Sequence, residues 1–376
     1  MIVGVPKEVK DNEYRVALTP EGARELTLAG HRVLIEDHAG DGSNIPQERY
    51  VRSGAEILPT PDEVWAESDL ILKVKEPIPS EYGCMREGQV LFTYLHLAAS
   101  AELTRALLDR KIHGVAYETV QDAQGRLPLL APMSEVAGRM APHVSARLQE
   151  REYGGRGILL GGVSGVRPAK VLVIGAGMAG MNAAWIAMGM EADVVVMDKN
   201  LDKLRLIDQI MQGRITTLMS DRLTLEQRVR ESDVVIGTVL IPGARAPKLV
   251  TREMVASMRP GSVAIDISID QGGCFETSHM TTHSNPTYVE EGVVHYCVGN
   301  MPGAVPNTST YALTNVTMPY ALAIADLGLE DALRSDRALA LGLNTYGGTL
   351  TNGPVSEAHD MDWSDVSSVI PRTGES

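Results

Sequence analysis

Gly175-Ala-Gly177-Met-Ala-Gly180 fits GxGxxG, a spacing that lets a main chain approach a phosphate. It follows the apolar run 171–174 and opens an apolar segment, the strand–turn–helix context that the spacing needs. The first glycine permits a tight turn, the second lets the backbone reach a pyrophosphate, and the third lets a helix pack close to a strand. A helix N-terminus at Met178 and Ala179 adds N–H donors and a partial positive charge. The next apolar run, 193–197, ends at Asp198. A carboxylate there accepts hydrogen bonds from ribose hydroxyls and repels a 2′-phosphate, which favours NAD over NADP. Lys199, Lys203 and Arg205 follow, and a cation among them could accommodate that phosphate.

Hydride transfer to a nicotinamide needs a group that holds the substrate and a group that moves a proton. In open α/β sheets ligands sit beyond the carboxyl ends of the strands. Lys75 ends LILKVK, His96 ends QVLFTYLH, and Asp270 closes SVAIDISID before a Gln-Gly-Gly turn. Arg15 lies in a polar loop after the first strand. Taken singly, each has a plainer role: a solvated arginine, a snorkelling lysine, a hydrogen-bonded core histidine, a turn-forming aspartate. Their shared position favours a site. Other chemistries find less support. The nine histidines contain no HExxH, so no metal is expected. There is no GxSxG for a serine nucleophile, and Ser164 sits in a loop, GGVSGV, without that spacing.

The elements that must carry these residues follow an alternating pattern. Strands are expected at 2–5, 32–36, 70–75, 89–95 and 114–120, with helices at 20–29, 61–67 and 101–111. A turn-rich linker covers 121–133, and a long helix starts near Ser134 and runs to about 152. A second series has strands at 171–174, 193–198, 215–219, 233–239, 262–268 and 293–299 with helices between, the pattern of a doubly wound sheet. Helices at 308–327 and 329–342 then follow with no strand between them. Two helices alone make a poor domain, so they are expected to pack back onto the first series. The fold class is therefore α/β, with two doubly wound Rossmann-like domains and the nucleotide domain inserted in a discontinuous substrate domain. The boundaries are 1–129 with 306–376 for the substrate domain and 130–305 for the NAD-binding domain. Residues from about 346 onward carry no motif and read as a loose tail.

Composition bounds the rest. The chain has 376 residues, 44% hydrophobic and 22% charged, with 34 Lys and Arg against 48 Asp and Glu, a net charge of −14. That balance disfavours nucleic acid as a partner. With only 2 Phe, the core must be Val, Ile, Leu, Ala and Met. Cys84, Cys274 and Cys297 lack CxxC spacing and read as buried free thiols of a reducing cytoplasm. The start MIVGVPKEVKDNEYR has no signal-peptide pattern. The uncharged run 171–190 reaches membrane-span length, but its glycines favour a buried strand, turn and helix, so no membrane partner is expected.

GVPKEVKDNEYRVALTP, VKEPIPSEY, LFTYLHLAAS, APMSEVAGRMA, VIGAGMAG, DISIDQGGCFETS and NTSTYALTNVTMPY together resemble the L-alanine dehydrogenase family, which includes the NAD-binding part of proton-translocating transhydrogenase. The resemblance spans residues 1 to about 344. It implies reversible oxidative deamination of L-alanine to pyruvate and ammonium with NAD, in a homo-hexamer. Arg15 and Lys75 match the family's substrate anchors, His96 its acid–base residue and Asp270 its second catalytic residue. A histidine ring suits proton transfer near neutral pH. Tyr94 and Met133 fall where the family lines its substrate pocket, and Asn300 and Met301 where it contacts substrate and nicotinamide. Ser134, Gly175, Gly177, Met178, Ala179, Gly180, Asp198, Lys203, Ser220, Val239, Leu240 and Ile267 match cofactor contacts. The sequence departs at His279, where Arg is frequent at a cofactor contact, at Asn307, where a basic residue is common, and at Ser164, where Pro is usual. A related amino- or keto-acid dehydrogenase, a transhydrogenase component, and an NAD-binding regulator without turnover stay open at this level.

Overall fold

The computed structural model describes residues 1–239 and 246–370. The chain forms two compact units, Met1–Met133 with Val305–Ser376, and Ser134–Ala304. In the first, strands β1 (Ile2–Val5), β2 (Arg32–Glu36), β3 (Glu56–Leu58), β4 (Leu70–Leu72), β5 (Val90–Thr93) and β6 (His113–Ala116) are joined in parallel. β1 pairs with both β2 and β4, so the strand order reverses at β1. Their residues are mostly buried, because helices cover parallel sheets on both faces. Strand β3 is short and half-exposed, and the sequence pattern did not reveal it. The helix Pro20–Leu28 begins where Thr19 caps the Gly22 N–H and proline takes the first turn.

The second unit holds β7 (Lys170–Ile174), β8 (Asp193–Asp198), β9 (Thr216–Met219), β10 (Val234–Gly237), β11 (Val263–Asp266), β12 (Thr287–Glu290) and β13 (Val293–Tyr296). Their order is β12-β13-β11-β10-β7-β8-β9, parallel except for the β12–β13 pair. β12 was not expected, since TYVE at an edge is only half-buried and carries no clean alternation. The uncharged run 171–190 is β7, the glycine turn and the helix Met178–Gly189. Among the described residues no helix is long and apolar enough to cross a membrane.

The C-terminal segment returns to the first unit. The helix Pro306–Leu327 packs against the helix Pro20–Leu28 at Gly22, where an added Cβ would lie 2.9 Å from the Met318 sulfur. The expected second helix is two, Leu329–Ser335 and Arg337–Leu341, broken where Asp336 adopts an extended backbone and caps the later one.

Residues 346–370 do not form the loose tail expected, and 371–376 lie outside the described residues. Strands β14 (Leu343–Tyr346) and β15 (Thr349–Leu350) extend the first sheet, and the helix Gly353–His359 follows. β14 runs antiparallel to β6, and Thr345 Oγ1 accepts from the Gly114 N–H at 3.0 Å and donates to the Ile112 carbonyl at 2.9 Å. Gly114 leaves the space this needs, since a Cβ there would lie 2.7 Å from that hydroxyl. Gly347 and Gly348, both with positive φ, turn the chain between the two strands.

A second correction concerns the thiols: Cys274 and Cys297 are buried, but Cys84 is half-buried at the surface, and all three are free.

Leu343 is fully buried in β14. Replacing it with Ala should cost about 2–5 kcal/mol in urea unfolding. An unchanged midpoint would mean the returning segment adds nothing to the fold.

Candidate active site

In the first unit the candidate residues stand at strand ends and are held by buried carboxylates. Arg15 is 2% exposed, and a guanidinium out of water must be paired. Glu13 grips it through a fork, Nε to Oε1 at 2.7 Å and Nη2 to Oε2 at 2.5 Å. Burial opposes the charge of Arg15, Glu13 favours it, and the net effect raises its pKa. Nη1 donates to the Met133 sulfur at 3.0 Å. A thioether is a weak acceptor, so a carboxylate placed there would make a much stronger bond. The next residue, Val16, is pinned by its N–H to Thr310 Oγ1 at 3.1 Å, which ties the loop to the helix Pro306–Leu327. On the same helix Asn307 donates to the Ser43 carbonyl at 2.6 Å, so this departure has a structural role in closing that loop.

Lys75 lies three residues past β4. Its N–H faces Glu8 Oε1 at 3.4 Å, and Thr93 donates to its carbonyl at 3.1 Å. Glu8 also accepts from the Val74 N–H at 2.6 Å. Beneath, Lys73 is buried between Glu8 at 3.2 Å and Glu81 at 2.8 Å. Burial disfavours its charge, but the two carboxylates outweigh this and raise its pKa. For Glu76, burial pushes the carboxyl up, while Lys75 and Lys10 outweigh it and hold the pKa below the ordinary value. Tyr94 is buried, and its hydroxyl donates to the Leu129 carbonyl at 2.7 Å. Its ring stacks on that of His96, 5.7 Å apart and 7° from parallel. The His96 side chain is 42% exposed, open to a small substrate. Its backbone is left-handed, φ 48° and ψ 38°, which costs a residue other than glycine about 1–2 kcal/mol.

The second unit carries the nucleotide features. Gly175 has φ 107°, and its Cβ would lie 2.8 Å from Thr238 Oγ1. A Cβ on Gly180 would strike the Gly175 carbonyl at 1.9 Å. These two glycines are required by the fold. Gly177 differs: φ is −78°, ψ is −169°, and a Cβ would meet no atom within 4 Å. The fold does not need glycine there, so the open side of the turn fits the backbone approach of a pyrophosphate. Gly138 brings the helix Ala131–Leu148 against the same turn, with its Cβ position 2.2 Å from the Ala179 carbonyl. That helix starts three residues earlier than expected and ends at Leu148.

Asp198 ends β8, accepting from the Ala176 N–H at 2.7 Å and the Asn200 N–H at 2.7 Å. It thus sits against the glycine turn. Ser220 donates its N–H to the Asp198 carbonyl at 3.0 Å, while Lys203 and Met178 are exposed on their helices. Val239 and Ile267 are half-buried at the ends of β10 and β11, Ser134 is half-buried, and Leu240 lies outside the described residues. The turn Ile267–Gln271 carries Asp270 and is anchored by buried Asp266, which accepts from the N–H groups of Ser268 and Cys274 and from Ser278 Oγ at 2.6 Å. Both Asp270 oxygens lie 3.4 Å from the Asn300 N–H. Asn300 is left-handed, φ 57°, and Met301 behind it is buried. His279 stacks on Tyr288, with centroids 3.7 Å apart, while His283 turns to the Asn300 carbonyl at 3.1 Å. Among the described residues no group of three or more metal-ligating side chains is assembled.

The structure adds positioning residues that sequence reasoning missed: Glu8, Glu13, Gly138, Thr238 and Asp266. Thr238 donates to the carbonyls of Ile174 and Gly175 and so braces the glycine turn. None stands in a motif with its own spacing signal, although Glu8, Glu13, Gly138 and Asp266 lie within segments that carry the family resemblance. Gly177→Ala should weaken NADH binding tenfold or more, roughly, by crowding the pyrophosphate, while leaving the melting temperature unchanged. Fluorescence titration gives the affinity. Native affinity would mean the open side of the turn is not where the cofactor lies.

The chain is similar to known proteins over nearly its full length. Residues 4–137 match "Alanine dehydrogenase/PNT, N-terminal domain" and residues 141–353 match "Alanine dehydrogenase/PNT, C-terminal domain". The chain is 56% identical over 370 residues to an alanine dehydrogenase of Mycolicibacterium smegmatis, covering 98% of this chain and 100% of that one. It is 55% identical over 364 residues to one of Methanococcus maripaludis, covering 96% and 98%. Among solved structures, an L-alanine dehydrogenase superposes with a TM-score of 0.93 at 47% identity, covering 96% of this chain and 99% of that one. A transhydrogenase from Sinorhizobium meliloti gives 0.81 at 26%, covering 93% and 100%. The chain belongs to the alanine dehydrogenase/PNT family.

Proposed function

We propose that this chain catalyses the reversible NAD-dependent oxidative deamination of L-alanine: alanine, NAD⁺ and water give pyruvate, ammonium, NADH and a proton. The observation that carries the substrate class is Arg15. It is a buried guanidinium fixed by Glu13, with Nη1 directed at a weak sulfur acceptor. Such a group is organised for one small carboxylate. Relatives matched over nearly their full length at 55–56% identity carry the alanine dehydrogenase name, which supports alanine as that substrate.

Held by the glycine turn and Asp198, a nicotinamide cofactor would supply the acceptor, and in reverse the donor, of a hydride at the amino-acid Cα. Arg15 holds the carboxylate through charge-assisted hydrogen bonds. Lys75 donates to the carboxylate or to the keto or imino group and polarises it. His96 takes the proton from the water that adds to the imine and returns one to the departing nitrogen. Asp270 orients or activates that water or the amine. Tyr94 and Met133 line the substrate pocket, and Asn300 contacts the substrate. The glycine turn and Asp198 hold pyrophosphate and ribose, with Ser134, Met178, Ala179, Lys203, Ser220, Val239, Leu240, Ile267 and Met301 as further cofactor contacts. Residues 1–129 with 306–376 serve as substrate domain and 130–305 as NAD-binding domain. A homo-hexameric state in the cytoplasm, with a role in amino-acid catabolism, belongs to the same reading.

The test is NADH formation from L-alanine and NAD⁺ at alkaline pH, with NADP⁺, glycine, L-serine and D-alanine in parallel. A rise with L-alanine and NAD⁺ supports the reading. No rise with any amino acid, despite NAD binding, overturns it and leaves a transhydrogenase-like component. His96→Ala should lower turnover about a hundredfold or more, measured as kcat in both directions. Near-native turnover would remove His96 from the acid–base role. Asp198→Ala should raise the use of NADP relative to NAD, seen as the ratio of the two kcat/KM values. An unchanged ratio would count against its ribose role.

A further inference from the structure

His96 is the N-cap of a short turn, Leu97–Ala99, three residues beyond the end of β5. Glu118 lies two residues beyond the end of β6, the parallel neighbour of β5. Both residues thus emerge at the same edge of the first sheet. Glu118 Oε1 accepts the His96 N–H at 2.5 Å and the Leu95 N–H at 3.2 Å, and Oε2 accepts the Leu95 N–H at 3.2 Å. Its Oε1 stands 3.9 Å from His96 Nδ1, inside ion-pair range but beyond a hydrogen bond. The contact is therefore made to the backbone of the histidine rather than to its ring.

That backbone is in the left-handed region, which a β-carbon disfavours. A strained conformation persists only where its surroundings over-determine it. Two convergent N–H groups on one carboxylate supply that constraint, and they are charge-assisted. Tyr94 completes it from the other side of the same segment: its ring lies parallel to the imidazole, and its hydroxyl is tied to the Leu129 carbonyl. The ring can then remain exposed to substrate while its Cα has one place to be. Among the described residues the ring itself makes no hydrogen bond that would hold it so, only the 3.9 Å approach to Glu118.

We infer that Glu118 is a positioning residue for the reaction, acting through His96 by clamping the 95–96 backbone so that the imidazole stays where it exchanges a proton with substrate. The inference rests on His96 being the acid–base residue. It does not require the negative charge of Glu118 to act on the ring. An amide oxygen in the same place could still accept both N–H groups.

The experiment compares Glu118→Ala, Glu118→Gln, His96→Ala and the Glu118→Ala/His96→Ala double variant. It reads kcat and KM for pyruvate in the amination direction, NADH affinity, and thermal melting. Glu118→Ala should lower kcat roughly tenfold to a hundredfold, the scale of a displaced catalytic group, with NADH affinity unchanged. Glu118→Gln should recover kcat to within about threefold of native, since it keeps an acceptor while giving up the charge-assisted part. The double variant should be no slower than His96→Ala alone, because a residue acting through another adds nothing once that other is gone. If Glu118→Ala melts below the assay temperature, Glu118→Asp replaces it; withdrawing the acceptor while keeping the charge should also lower kcat. Native kcat in a folded Glu118→Ala or Glu118→Asp variant overturns the inference, as does a Glu118→Gln variant as slow as Glu118→Ala or an additive loss in the double variant. Native kcat in His96→Ala is a different failure: it removes the acid–base reading, and the Glu118 inference falls with it.

Discussion

A guanidinium that is 2% exposed cannot stand alone, and much of the first unit follows from that constraint. Glu13 must come two residues before Arg15 so that its carboxylate can fold back onto Nε and Nη2. The loop that carries the pair must be pinned, and the hydroxyls of Thr310 and Ser43 do so from the returning helix and the 41–43 turn. The C-terminal segment is thus needed by a residue near the N-terminus, which gives a physical reason for building one unit from both ends of the chain. The same rule governs Lys73, buried beneath Lys75 and paired with Glu8 and Glu81. Removing one member of such a group would strand a charge, so the network fixes the strand ends as well as their side chains.

The second unit uses neutral constraints for the same purpose. Its glycine turn is held from within by Gly175 and Gly180, whose missing side chains let Thr238 and the turn's own carbonyl close in. Gly177 takes a backbone that any residue can adopt and faces open space. The three glycines of one motif therefore divide by cause, two serving the fold and one serving an approaching ligand. Asp266 plays for the Asp270 turn the part that Glu118 plays for His96: a carboxylate that gathers backbone N–H groups and leaves a neighbouring side chain exposed. Burial raises the pKa of Asp266, and the hydroxyl and N–H donors around it work in the opposite direction.

What was legible in the sequence was whatever has a short-range pattern. GAGMAG after an apolar run marks β7 and its helix, and polar residues closing apolar runs can be read directly, which singled out Asp198 at the end of β8 and Lys75, His96 and Asp270 a few residues past β4, β5 and β11. Residues that act by reaching across the fold leave no such mark. Glu118 meets the 95–96 backbone only because β5 and β6 are neighbours, and Gly138 matters only because its helix crosses the glycine turn. The returning strands were missed because LNTY and TL are too short to show a period. Gly347-Gly348 between them was the available signal, a two-glycine turn flanked by strand-forming residues. The helix break at Asp336 was likewise readable, as an N-cap aspartate inside the polar stretch Arg334-Ser-Asp-Arg337.

The account turns on Arg15 being held ready by Glu13 for a substrate carboxylate. The most direct measurement is a crystal structure of the chain with NADH and pyruvate. The account predicts the pyruvate carboxylate on Arg15 Nη1 in place of the Met133 sulfur, with the Glu13 fork intact. Pyruvate bound with its carboxylate away from Arg15, or Glu13 displaced from the guanidinium when pyruvate binds, would contradict it.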